Sequence, residues 1–348
     1  MDVDFGDARS IVVGFGVGAL VLLGLYSLVG LDEVAAALSQ ADITLVAAVC
    51  GVAVGWLFAW SLALRTVLGV IAVPVSVLRS FLLFAGATFA NNVTPFGQAG
   101  GEPFSALLVS RTTETEYENG LAAVASVDTL NFVPSVSFAL LGIGYYATTF
   151  TVGDRVELAA ISLAALAIAV PVAAYFGWRY RDSVAEVAVG LIVPVGTRLA
   201  RVVPFLDAPD ESSLRDRVEG FFSALERVAG DRHQLALALA FSAIGWFLLS
   251  VSLWLSLLAL GHAVPFAAAL FVVPLASVAG VTPLPGGLGG VEAVLVVLIV
   301  PVTGVDAATA GAAAVIHRGA TYWLPVLLGG SATAMLEADN ASKATKSD

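Results

Sequence analysis

Long apolar runs separated by short polar connections dominate this chain. Windows long enough to cross a bilayer, about 20 residues, fall at residues 9–30, 43–64, 119–147, 156–177, 233–260 and 307–336. Each predicts a transmembrane helix. Two further intervals, 76–110 and 265–300, are apolar at both ends but broken in the middle, by TPFGQAGGEP (94–103) and TPLPGGLGGVE (282–292). The breaks leave arms of roughly 8 to 17 residues, which suit half-helices better than full crossings. The expected fold class is an all-α polytopic membrane protein with about six full spans and two re-entrant hairpins.

The richest arginine cluster, Arg179 to Arg232, lies between the fourth and fifth spans and marks the cytoplasmic side. Counting crossings from it places 31–42 and 148–155 outside, and Arg65, Arg79 and Arg111 inside. Both termini fall in the cytoplasm of a protein expected in the cell membrane. Residues 76–110 then enter and leave from inside and 265–300 from outside, so the hairpins face opposite ways. Thr94 and Thr282 are 188 positions apart, Glu102 and Glu292 are 190 apart, and the flanking spans share that offset. Residues 43–147 and 233–336 therefore read as inverted repeats, the pattern of secondary transporters, whose sites form at helix interruptions. A single membrane domain, 1–336, is expected, followed by a polar tail, 337–348. Between the repeats, residues 178–232 form a cytoplasmic loop. Within it Ser213 caps a stretch in which Leu214, Val218, Phe221, Phe222, Leu225 and Val228 recur at helical spacing, predicting an amphipathic connecting helix.

Composition refines this picture. The chain is 59% hydrophobic and 12% charged, with a net charge of −11. Lys343 and Lys346 are its only lysines, a lysine-poor, acidic balance like that of halophile proteins. The same balance lacks the basic footprint that phosphate backbones require, which excludes nucleic acid as a partner. Cys50 stands alone, so an internal disulfide and a CxxC redox pair are excluded. The first apolar run starts near Arg9 and is too long for a signal-peptide core, so it reads as a retained helix.

Irregular backbone survives in hydrocarbon only where it is buried in protein or lines a wet cavity. The two breaks, with Gly100, Gly101, Gly286, Gly287 and Gly289, are therefore candidate substrate-binding backbone, and amides at a half-helix start suit an anion such as phosphate. Glu102 and Glu292 open the second arm of each hairpin, as caps or as binding groups. Arg318 lies about a dozen residues into the last span, where a buried cation marks function by default. Asp128, Glu102 and Glu292 are the candidates to neutralise it, and a lipid phosphate gripped by the guanidinium would displace that partner. A purely structural Asp128–Arg318 salt bridge is the plainer alternative. His317 is a candidate proton relay or a packing histidine. Asn91, Asn92 and Asn131 either line a pathway or stitch helices together. No HExxH, Walker loop, GxSxG or Asp-rich pair is present, and three scattered histidines make no metal site. No enzyme activity, metal or cofactor is expected.

NNVTPFGQAGGEPFSALLVSR, VTPLPGGLGGVEAVLVVLI and HRGATYWLPVLLGG together resemble the lysylphosphatidylglycerol synthase transmembrane-region family, also described as flippase-like. The most specific matches are Pro285, Gly286, Gly287, Gly289 and Glu292, then Gly101 with Glu102, then Arg318, Tyr322 and Pro325. In full-length relatives this region is joined to a soluble domain that transfers lysine to phosphatidylglycerol. Only about a dozen polar residues follow residue 336 here, so the resemblance implies the translocation half alone, acting on a polar-headgroup lipid or, given glycosyltransferase-associated members, a polyprenyl-linked sugar. The partners implied are a membrane lipid or lipid-linked glycan and, beside it, a glycosyltransferase or other lipid enzyme. Two other functions stay open: a transporter of a small soluble anion, and a non-transporting scaffold for such an enzyme.

Overall fold

The computed structural model describes residues 8–94, 97–149 and 226–347, with a few isolated positions between 172 and 223. The expected fourth span and almost all of the connecting segment with its amphipathic helix lie outside the described residues. Among the described residues the secondary structure is helical throughout. The helices are α1 (Ala8–Val29), α2 (Leu31–Ser39), α3 (Ile43–Val70), α4 (Val77–Val93), α5 (Gln98–Thr113), α6 (Tyr117–Thr149), α7 (Arg232–Ala259), α8 (Phe266–Val278), α9 (Gly290–Thr303), α10 (Ala307–Arg318) and α11 (Leu324–Ser347). The protein is an all-α polytopic membrane protein. Among the described residues Ile43–Val70, Tyr117–Tyr145, Arg232–Ala259 and Pro285–Thr303 are long and apolar enough to cross a bilayer, and Val13–Val29 with Leu31–Ser39 adds a pair bent by 86°.

Polar residues at the membrane boundaries start these helices. Asp42 accepts from Thr44 N at 2.8 Å to open α3, and Asp231 accepts from His233 N and Gln234 N, both at 3.1 Å, to open α7. Each satisfies amides that have no partner inside the helix. The connection expected at 31–42 is mostly the short helix α2, turned away from α1 at Gly30. Both broken intervals form two helical arms, of 17 and 16 residues in α4 and α5 and of 13 and 14 in α8 and α9. Pro285–Thr303 is long enough to span, yet positive φ at Gly286, Gly287 and Gly289 leaves regular helix only from Gly290 onward.

Helices α3 and α7 pack along each other at the centre. Four serines of α7, Ser242, Ser250, Ser252 and Ser256, are fully buried, and small residues let helix backbones approach closely in a membrane. Around this pair the packing alternates: α4 lies on α11 while α8 lies on α6, and α4 pairs with α5 while α8 pairs with α9. Leu57, Leu253, Phe271, Leu295 and Ile299 fill one core, and Leu64, Leu68, Leu83 and Val109 a second. Large apolar side chains also cover the outside, with Leu28 89% and Leu327 68% exposed. Such a surface belongs in lipid.

Candidate functional site

The two breaks meet in the middle of the bundle. Gly97, at φ 55°, opens α5 so close to the other break that a Cβ there would sit 2.7 Å from the Gly280 carbonyl oxygen. Gly286, at φ 51°, packs against the Tyr322 ring and Asn92, with a Cβ placed 3.0 Å from Asn92 Cα. Only glycine fits both the dihedral and the space. Tyr322, fully buried, laces these segments together: its hydroxyl donates to the Asn92 carbonyl at 2.9 Å, with the Pro285 carbonyl 3.3 Å away.

Beside the breaks is a cavity of about 430 Å³. Among its walls are Asn91 and Asn92 of α4, Glu102 of α5, Asp128 of α6, and His317 and Arg318 of α10. Gly286 also lines it. Of the expected site residues, Glu292, Gly100, Gly101, Gly287 and Gly289 are not on the wall. Glu292 stands behind Arg318, and Gly101 packs directly on Asn91.

Arg318 is neutralised by Glu292 and not by Asp128. Its Nε donates to Glu292 Oε1 at 2.8 Å and its Nη2 to the Gly286 carbonyl at 2.9 Å, while Tyr322 lies under the guanidinium at 4.5 Å. The other oxygen of Glu292 accepts from Gly289 N at 2.7 Å. Glu292 is the third residue of α9, where an acid reaches back to cap the helix start. It therefore serves as cap and counter-ion together, and the amide it caps is not open to a ligand. Glu102 behaves differently because it is the fifth residue of α5, beyond capping reach. Its carboxyl lies within hydrogen-bonding reach of that of Asp128 on α6. The expected Asp128–Arg318 bridge is thus replaced by two pairs, one acid–base and one acid–acid.

His317 packs by its Nδ1 against Ser252 Oγ at 2.9 Å. Asn131 stitches helices and does not line the cavity: Ser242 Oγ of α7 donates to its Oδ1. Directly after Arg318 the helix passes through a five-residue π turn, Gly319–Trp323, a feature often found at functional sites.

Sequence reasoning missed the aromatic wall. Trp56, Trp60 and Trp246 line the cavity, with ring centroids 5.4 Å apart between Trp56 and Trp60 and 5.6 Å between Trp60 and Trp246. Trp60 Nε1 donates to the Ser242 carbonyl at 3.1 Å, tying α3 to α7. The signal was present, since Trp56 and Trp246 are 190 positions apart, the offset of the two glutamates.

Three known proteins are similar to this chain in sequence. A UPF0104 membrane protein of Methanothermobacter thermautotrophicus is 26% identical over 327 residues, covering 90% of this chain and 91% of its own. A UPF0104 membrane protein of Pyrococcus horikoshii is 24% identical over 248 residues, covering 70% and 72%. One of Methanocaldococcus jannaschii is 22% identical over 323 residues, covering 89% and 90%. The model of the lysylphosphatidylglycerol synthase TM region matches residues 11–329, and on that match across nearly the whole chain this protein is a member of that family.

Proposed function

We propose that this protein moves an anionic lipid headgroup, of a phospholipid or a polyprenyl-linked sugar, across the cell membrane through the Arg318 cavity. The single observation that carries the reading is an incompletely satisfied arginine on the wall of a cavity inside a lipid-exposed bundle. A guanidinium has five N–H donors, and two are occupied here. Three donors remain for a ligand, and a phosphate suits them because it accepts two parallel hydrogen bonds from the planar fork. In the empty site Glu292 holds Arg318 in place; a bound phosphate competes for the same cation.

The alternation of packing around α3 and α7 supports a two-repeat machine, residues 43–147 against 233–336. In this reading the two halves rock about the cavity, the headgroup passes through it, and the tails stay in lipid. Both termini are assigned to the cytoplasm by the arginine distribution. The protein performs no covalent chemistry; any glycosyltransferase or lipid enzyme associated with it is a partner.

The test is reconstitution of the purified protein in liposomes with fluorescent-headgroup phospholipids and polyprenyl-phosphate sugars, comparing wild type with Arg318→Gln. Wild-type exposure of the headgroup to a membrane-impermeant quencher, lost in the variant, is the expected result. Uptake of a soluble anion without lipid movement would replace lipid by a small anion as cargo. No movement of either, with binding of a membrane enzyme intact in Arg318→Gln, would leave a scaffold.

A further inference from the structure

The cavity contains a second charged group, and the translocation reading leaves it without a task. Glu102 and Asp128 come from different helices, both line the cavity, and their carboxyl groups lie within hydrogen-bonding reach of each other. Ionised carboxylates only accept hydrogen bonds, so the two can bond to each other only with one proton between them. His317 lies on the same cavity wall, buried, and is hydrogen-bonded through Nδ1 to Ser252 Oγ.

Charge balance then ties the proton to the cargo. Arg318 and Glu292 cancel, and the carboxyl pair with one proton carries one negative charge. An arriving phosphate monoanion adds another inside a water-poor bundle, where like charges repel far more strongly than in water. A second proton relieves that repulsion, so anion and proton each favour the other's binding, by the reciprocity that linkage requires. Among the described residues of the cavity wall, α3, α4, α7, α8 and α9 contribute aromatic, aliphatic, amide and hydroxyl groups with no titratable side chain. The titratable and charged wall groups among the described residues are Glu102, Asp128, His317 and Arg318, with Glu292 behind Arg318.

We propose that the Glu102–Asp128 carboxyl pair is a proton-binding site that couples headgroup movement to a proton gradient. This rests on the translocation reading, and two measurements separate their failures. In liposomes with the membrane potential clamped at zero, a gradient of one pH unit is imposed. For one proton per lipid, wild type drives the labelled lipid to about a tenfold unequal leaflet distribution, because one pH unit is a tenfold proton activity ratio. Asp128→Asn and Glu102→Gln scramble lipid without that bias or move none. Equal leaflets for wild type at every pH gradient, or a bias set by a sodium gradient instead, would overturn proton coupling while leaving translocation standing.

The second measurement is calorimetric titration of the purified protein with glycerol 3-phosphate in two buffers of different ionisation enthalpy. Uptake of about one proton per anion by wild type, lost in Asp128→Asn, supports the site even if no lipid moves, in which case translocation alone falls. Anion binding by wild type without proton uptake overturns the site.

Discussion

Replacing Glu292 by glutamine removes one charge and one acceptor from the most constrained group in the cavity region. Both carboxylate oxygens are committed, Oε1 to Arg318 Nε at 2.8 Å and Oε2 to Gly289 N at 2.7 Å, and the residue is 3% exposed. Glutamine offers one oxygen and one NH2. Whichever way the amide is turned, its NH2 opposes a donor, and Arg318 is left without a counter-charge. Removing one member of a buried pair costs about 3–5 kcal/mol. Arg318 is not sealed off, since its side chain is 13% exposed, so the lower end, about 3 kcal/mol, is expected. At about 2 °C per kcal/mol or somewhat less for a chain of this size, the melting temperature in detergent falls by roughly 5 °C. The double variant Glu292→Gln/Arg318→Gln removes the uncompensated charge and recovers at least half of that loss. Denaturant titration of wild type, both single variants and the double variant measures the coupling. If Glu292→Gln costs less than about 1 kcal/mol, or the double variant adds the two single losses without recovery, Glu292 is not the counter-ion that holds Arg318.

Gly286→Ala forces a Cβ onto the Tyr322 ring at a positive φ, and a loss of about 2–4 kcal/mol is expected in the same titration. Tyr322→Phe deletes only the hydroxyl between the Asn92 and Pro285 carbonyls and costs about 1–2 kcal/mol, with faster proteolysis near the breaks as its second readout. Trp60→Phe removes the donor to the Ser242 carbonyl and costs about 1 kcal/mol or more. Asp306 caps α10, and its carboxyl is held below the usual carboxylate range, chiefly by the Thr309 backbone N–H and then by the Thr309 hydroxyl. Its folded pKa is depressed, so this contribution is present above the unfolded value and is lost as pH falls through the folded one. Asp306→Ala therefore lowers stability by about 1 kcal/mol at neutral pH, and melts recorded from pH 7 down to pH 3 show the gap to wild type closing; a gap independent of pH would reject the cap's charge.

How much of this was legible in the chain differs from residue to residue. Hydropathy alone determines the helices, because 20 apolar residues in water-free surroundings have no other way to satisfy their backbone. α1, α3 and α7 follow their apolar windows closely, whereas the last window is interrupted by the π turn and its helix runs on to Ser347. The breaks were equally legible, since proline and glycine clusters act locally on the backbone. α2 and the π turn were not, as short elements are set by packing and not by propensity. At the site, the sequence singled out Arg318 and three acids by their rarity in an apolar span. Which acid meets which charge was decided only in three dimensions. Glu292 is two positions nearer the start of its helix than Glu102 is to the start of α5, so it reaches back to Gly289 and presents its other oxygen to Arg318. Glu102 points from further along its helix toward Asp128. A shift of two positions relative to a helix start, invisible without knowing where each helix begins, separates an ion pair from a pair of carboxyl groups.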